Sequence, residues 1–204
     1  MSTSSTASGA PVPGRDPIDL ERARLFALLG RLLAGAPEAA LLKKLGALAG
    51  EGTPLGLGFA ALAAAARETT EEACEHEFFD LFIGVGRGEL LPYASYYLTG
   101  FLHERPLAEL RGDLIRLGIE RTEGVSEPED HIAFECETFA GLVSGAFAGL
   151  PVEAGAFFAR HMKPWAGRFF ADLEKAKAAH FYRAVGALGR LAVEIETAAA
   201  ELPG

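Results

Sequence analysis

Cysteine is scarce in this chain: only Cys74 and Cys136 occur, far apart and in no C-x-x-C pair, which excludes a zinc knuckle and a thioredoxin-like redox motif. Such usage suits a reducing compartment, where a free thiol behaves as a small buried hydrophobe, and leaves a single disulfide open. Basic residues are short as well. With 19 Lys and Arg against 28 Asp and Glu, the net charge is -9 and the pI about 5.1. That balance argues against a phosphate-binding surface, so no nucleic-acid partner is expected, and it makes basic or neutral peptides the more natural ligands. No long apolar run exists either. The longest, Leu55 to Ala66, is 12 residues of mostly Ala and Gly, well short of the roughly 20 that a membrane-spanning helix needs. Residues 1–15, rich in Ser, Thr, Gly, Ala and Pro, contain no apolar segment. They cannot serve as a secretory signal, read as a disordered tail, and point to a cytoplasmic protein.

What the chain has is apolar content. Of its residues 50% are hydrophobic and 23% charged, enough to bury one substantial core over residues 16–204, as one domain or two lobes sharing that core. The periodicity is helical throughout. Asp16 before Pro17 predicts an N-cap and a first helix ending near Gly35, with Leu20, Ala23, Ala27, Leu28 and Leu32 on one face. Pro37 is expected to open a second helix through Leu48, and Pro54 a third, Ala-rich, ending at Arg67. Thr69 and Glu72 are spaced as a capping box ahead of a segment bearing Cys74, Phe78, Leu81 and Phe82. Gly84-Val85-Gly86-Arg87-Gly88 reads as a turn and leads into the tyrosine-rich Leu91 to Tyr97.

Further on, Pro106 starts a helix closed by Gly118. Ser126 and Glu129 suggest a second capping box before the stripe Ile132, Cys136, Phe139, Ala140 and Val143. Pro151 opens a short helix, and Trp165, Phe169, Leu173, Phe181, Val185 and Leu188 continue the pattern to the end. No segment alternates with period two, so the fold class is all-α.

Catalytic constellations are missing. The residues three before His76, His103, His131, His161 and His180 are Ala73, Gly100, Pro128, Phe158 and Lys177, so no Glu-x-x-His exists for a di-iron bundle, and there is no H-E-x-x-H; no metal and no cofactor is expected. Gly84, Gly86 and Gly88 follow a helix and precede Pro92, the wrong context for a dinucleotide fingerprint, and no Gly-Lys-Ser/Thr is present. Ser95 lies in Tyr93-Ala94-Ser95-Tyr96, outside any G-x-S-x-G. Asp130-His131 remains as an acid/base pair on paper, the basis of an alternative reading as a small hydrolase; a structural subunit of a helical complex, with a flat apolar face, is another.

In order along the chain, four motifs resemble the TorD/DmsD family of redox-enzyme maturation chaperones. Glu77-Phe78-Phe79-Asp80-Leu81-Phe82-Ile83-Gly84-Val85-Gly86 is similar to E-x-x-x-L-F-x-G-P-G, with Val85 where proline is common. Pro92 to Tyr97 is similar to P-Y-x-S-x-Y, and Glu127 to Ile132 to E-P-D-D-H-I. Phe158 to Trp165 resembles F-x-x-x-H-x-x-x-W, with His180-Phe181-Tyr182 beyond it. The resemblance implies a single helical bundle of TorD-like type and no enzymatic activity. It implies a partner too: the precursor of a molybdopterin oxidoreductase, bound by its twin-arginine signal peptide before export while its cofactor is inserted. The implied peptide site is Leu81, Phe82, Pro92, Tyr93, Ser95, Asp130 and His131, with Phe78, Gly84 and Glu135 added. Arginines of the signal would seek the Asp130 region. Relatives exchange helices between protomers, and the glycine-rich loops would permit such a homodimer here.

Overall fold

The computed structural model describes residues 16–50, 52–119, 127–147 and 151–201. The predicted tail 1–15 and Ser126 of the second capping box lie outside them. Ten α-helices run through the described residues: α1 Pro17–Ala34, α2 Ala39–Gly46, α3 Pro54–Glu68, α4 Glu71–Phe78, α5 Ala94–Thr99, α6 Arg105–Arg116, α7 Ile132–Ser144, α8 Pro151–Phe157, α9 Ala166–Lys175 and α10 Phe181–Ala200. Two single π-helical turns, Phe79–Ile83 and Phe158–Met162, extend α4 and α8. Among the described residues the only β pairing is an isolated antiparallel bridge between Tyr93 and His131.

Helix starts follow local chemistry. Asp16 accepts the Ile18 N–H and Thr53 that of Gly56, each ahead of a proline in the first turn. Two expected caps shift. Thr70, not Thr69, accepts from Ala73 N–H to start α4, and Thr69 instead meets the buried Cys74 thiol. At α7 the cap is His131, whose Nδ1 accepts from Ala133 N–H at 3.1 Å. The second helix is also shorter than its leucine spacing suggests. It stops at Gly46, because Leu48 has no core to face and stays exposed.

The helices enclose one core. α1 packs along α7, with Phe26 edge-on to Phe139 at 4.7 Å. α10 packs on α9 and α3. Gly186 and Gly189 make the α9 crossing close: a Cβ on Gly186 would stand 2.6 Å from the Glu174 backbone nitrogen, and one on Gly189 2.2 Å from the Phe170 ring. Polar contacts join α1 to α10. Tyr182 donates its hydroxyl to the Leu32 carbonyl at 3.0 Å, and Arg22 grips Glu196 with two nitrogens at 2.7 and 2.6 Å. Cys74 and Cys136 are buried and unpaired.

Candidate functional site

The π turn after α4 sets the site's geometry. Gly84 N–H closes it onto the Phe79 carbonyl at 2.7 Å, and Gly84 then leaves the helix at φ +62°. A Cβ there would lie 2.1 Å from the Arg87 carbonyl oxygen, so this turn requires glycine. The widened turn carries Phe78, Phe82 and Ile83 to one side of the bundle while Leu81 points into the core. Phe78 and Phe82 stack edge-to-face at 5.0 Å over Tyr182.

Opposite them stands the Tyr93–His131 bridge. Ala94 N–H donates to the Asp130 carbonyl and Ile132 N–H to the Pro92 carbonyl, both at 2.9 Å, which pins the loop before α7 against the loop before α5. Between the two walls lies a cavity of about 540 Å³. Its floor and walls are apolar: Leu33, Phe78, Phe82, Pro92, Pro128 and Phe134. Among the described residues its charged lining is Glu127 and Glu137, with no Lys or Arg.

The electrostatics of the rim are fixed locally. Tyr93 donates its hydroxyl to Glu127 in a short contact. Burial and then that carboxylate raise the Tyr93 pKa, so the phenol stays protonated. Burial lowers the His131 pKa to about 4, against an ordinary 6.5, despite Glu127 and Asp130 nearby. The ring is neutral at neutral pH. Since its Nδ1 accepts the Ala133 N–H, its own proton sits on Nε2. Glu137 is partly withdrawn from water, and this raises its proton affinity against the opposing pull of Arg31.

At the bridge, the backbone groups of Tyr93 and His131 are already paired. Tyr93 N–H donates to Leu91 and its carbonyl accepts from Tyr97; His131 N–H donates to Pro128 and its carbonyl accepts from Glu135. A bound segment therefore meets side chains here, and no strand edge awaits pairing.

Of the ten residues expected at the site, Phe78, Phe82, Pro92, Tyr93 and His131 line the cavity. The other five do not. Leu81 and Ser95 are 0% exposed, and Asp130 and Glu135 1%. Gly84 shapes the turn. Within the Asp130 region expected to draw arginines, the Asp130 carboxylate itself faces inward and accepts the Ser95 N–H at 2.9 Å, while Glu127 lines the cavity. Glu135 accepts the Trp165 indole N–H at 3.0 Å, and complete burial holds its carboxyl well above the usual range. These residues build the groove from beneath. Asp130 and His131 also point to different partners, so they do not form the acid/base dyad that a hydrolase would use.

Glu77, the first residue of its motif, is structural too. Its carboxylate accepts the N–H groups of His180, Phe181 and Tyr182 at 2.7, 3.1 and 2.7 Å, capping α10. Glu89 does the same for Lys177 and Ala178 just upstream. In the C-terminal motif, His161 contacts Asp113 at 2.7 Å, away from the cavity.

Sequence reasoning did not single out Phe134 and Glu137, and it carried Glu127 only as part of the acidic start of α7. The signal for the first two is helical phase. His131, Phe134 and Glu137 recur every three residues on α7, off the buried stripe Ile132, Cys136 and Phe139. An aromatic outside the buried stripe is the mark of a second apolar surface. Among the described residues no group of three or more His, Cys, Asp or Glu could hold a metal ion, and no helix is long and apolar enough to cross a membrane.

Residues 49–171 match the family model of the nitrate reductase delta subunit. A chaperone protein TorD of Aliivibrio fischeri is 34% identical over 79 residues, covering 38% of this chain and 37% of that protein. A chaperone protein TorD of Vibrio cholerae serotype O1 is 31% identical over 102 residues, 46% of each. The matched region thus spans less than half the length of these curated relatives. In three dimensions, a proposed redox enzyme maturation protein from Archaeoglobus fulgidus superposes with a TM-score of 0.60 over 85% of this chain and 93% of its own, at 22% identity. That likeness shows a common all-helical fold.

Proposed function

We propose that this chain, which belongs to the nitrate reductase delta subunit family, is a chaperone that binds the precursor of a molybdopterin-dependent oxidoreductase and catalyses nothing itself. It grips an apolar, arginine-bearing segment of that precursor, the twin-arginine signal peptide, and holds it in the cytoplasm until cofactor insertion and assembly are complete.

One observation supports this reading: a cavity floored by Phe78, Phe82 and Phe134 and rimmed by Glu127 and Glu137, with no Lys or Arg among its described lining residues. Aromatic floors reward apolar side chains at about 25 cal/mol per Å² of area removed from water, before association costs. Carboxylates on the rim favour guanidinium groups and reject acidic segments. The wall's saturated backbone favours a guest that satisfies its own hydrogen bonds, so the bound segment is an amphipathic helix laid into the groove. The overall charge of -9 adds a long-range attraction for such a cationic ligand.

Calorimetric titration of the chain with a synthetic twin-arginine signal peptide tests it. The expected result is saturable binding that Phe82→Ala weakens by about tenfold, the worth of one buried aromatic anchor, while the helical circular dichroism is unchanged. A peptide whose apolar stretch is replaced by serines should not bind. Equal affinity of the unaltered chain for both peptides would remove the groove from the function.

A further inference from the structure

We propose that Glu137 is the residue of this groove that reads a positively charged side chain, Arg or Lys, in the bound segment. The inference rests on the peptide-binding reading above and deepens it by assigning the charge recognition to one carboxylate.

Two carboxylates line the cavity, and they are not equivalent. Glu127 already accepts the Tyr93 hydroxyl. The Glu137 carboxylate makes no hydrogen bond or ion pair with any described residue, although Arg31 on the last turn of α1 acts on it through space. Partly removed from water and unpaired, it gains more than an engaged carboxylate from a guanidinium arriving in plane with two donors. Its position on α7 suits the task. Phe134 lies one helical turn before it and lines the same cavity, so a segment seated on the aromatic floor brings its next residues past Glu137.

The neighbouring helix α1 leaves room for this side chain. α1 presents Gly30 at the crossing, and a Cβ there would stand 2.7 Å from Glu137 Cγ and 3.1 Å from the Ala133 carbonyl oxygen. Any larger residue would push Glu137 aside or move α7. The glycine keeps the carboxylate where the groove can use it.

The test compares two synthetic peptides, an apolar helix-forming segment preceded by two arginines and the same segment with both arginines changed to glutamine, by fluorescence anisotropy against the full chain. Glu137→Gln is expected to weaken the arginine peptide about tenfold, the scale of one charge-assisted contact, and to leave the glutamine peptide unchanged. Glu137→Lys should bind a third peptide, with glutamates in place of the arginines, more tightly than the unaltered chain does. Because Glu137 is exposed, both variants should keep the parent melting temperature, which is measured alongside. The assignment is overturned if the unaltered chain prefers the arginine peptide and Glu137→Gln keeps that preference in full; the groove then stands and another group reads the charge. It is equally overturned if the unaltered chain binds both peptides alike. If the unaltered chain binds none of them, the groove reading falls first and Glu137 with it.

Discussion

Asp130 sets its carboxylate 2.9 Å from the backbone N–H of Ser95, and so ties the loop before α7 to the first turn of α5. Helix α5 is six residues long, and Tyr93 at its N-cap supplies no side-chain acceptor. The cap comes instead from a residue 35 positions away. Tyr93 and His131 flank this link and line the groove, so the geometry of two lining residues depends on a carboxylate that is itself buried.

Replacing Asp130 by Ala is therefore expected to cost stability first. A charged hydrogen bond to a buried N–H is worth about 1.5–3 kcal/mol, and Asp130→Ala should lose about that much in urea denaturation followed by circular dichroism. Asp130→Asn, which keeps an acceptor oxygen, should lose less. An Asp130→Ala protein with parent stability but lost peptide affinity would instead make Asp130 a contact residue.

Glu77 offers a larger effect. Its carboxylate serves three N–H groups at the start of α10 and is 6% exposed. Glu77→Ala would strand those donors, and a drop of about 3 kcal/mol or more in unfolding free energy is expected. Hydrogen exchange should rise most at His180 to Tyr182. Unchanged exchange there would mean that water substitutes fully for the carboxylate.

Acid should weaken the fold through His131. Its pKa falls from 6.5 to about 4 on folding, so the unfolded chain takes up this proton first as pH drops. The contribution is complete above pH 6.5, declines between 6.5 and about 4, and is gone below. His131→Asn retains an N-cap acceptor but does not titrate. Denaturation midpoints measured across that window should fall less steeply for His131→Asn than for the unaltered chain, and parallel curves would refute the assignment.

Gly186→Ala tests the α9–α10 crossing. The added methyl would meet the backbone of Glu174 and Phe170, which cannot rotate away, so overpacking should cost about 1–3 kcal/mol. Gly167→Ala is the control. Its Cβ would find only ordinary contact with Val193 at 3.5 Å, and its melting temperature should match or exceed that of the parent.

Much of the fold is legible in the amino-acid sequence. Asp16-Pro17 and Thr53-Pro54 announce helix starts because a proline in the first turn and a short polar cap satisfy local needs within three residues. The cap at Thr70 is a near miss of local reading: two adjacent threonines can both cap, and the packing of Cys74 decides between them. The aromatic half of the groove is also readable, since Phe78, Phe82, Pro92 and Tyr93 carry motif and periodicity together. The charged half is not. Acidic residues near a helix start suit the helix dipole wherever their side chains point, so Asp130 and Glu127 look alike in the chain although one is buried and the other exposed.

The sequence by itself determined an all-helical chain, its order of motifs and the aromatic floor of one surface, because these depend on contacts within a turn or two. Tertiary structure decided which carboxylates are buried and which line the cavity. Glu77, Asp130 and Glu135 each accept from donors 30 or more residues away, whereas Glu137, beside Gly30 of α1, lines the cavity. Side-chain direction at that range is set by which helix packs opposite, and local spacing holds no record of it.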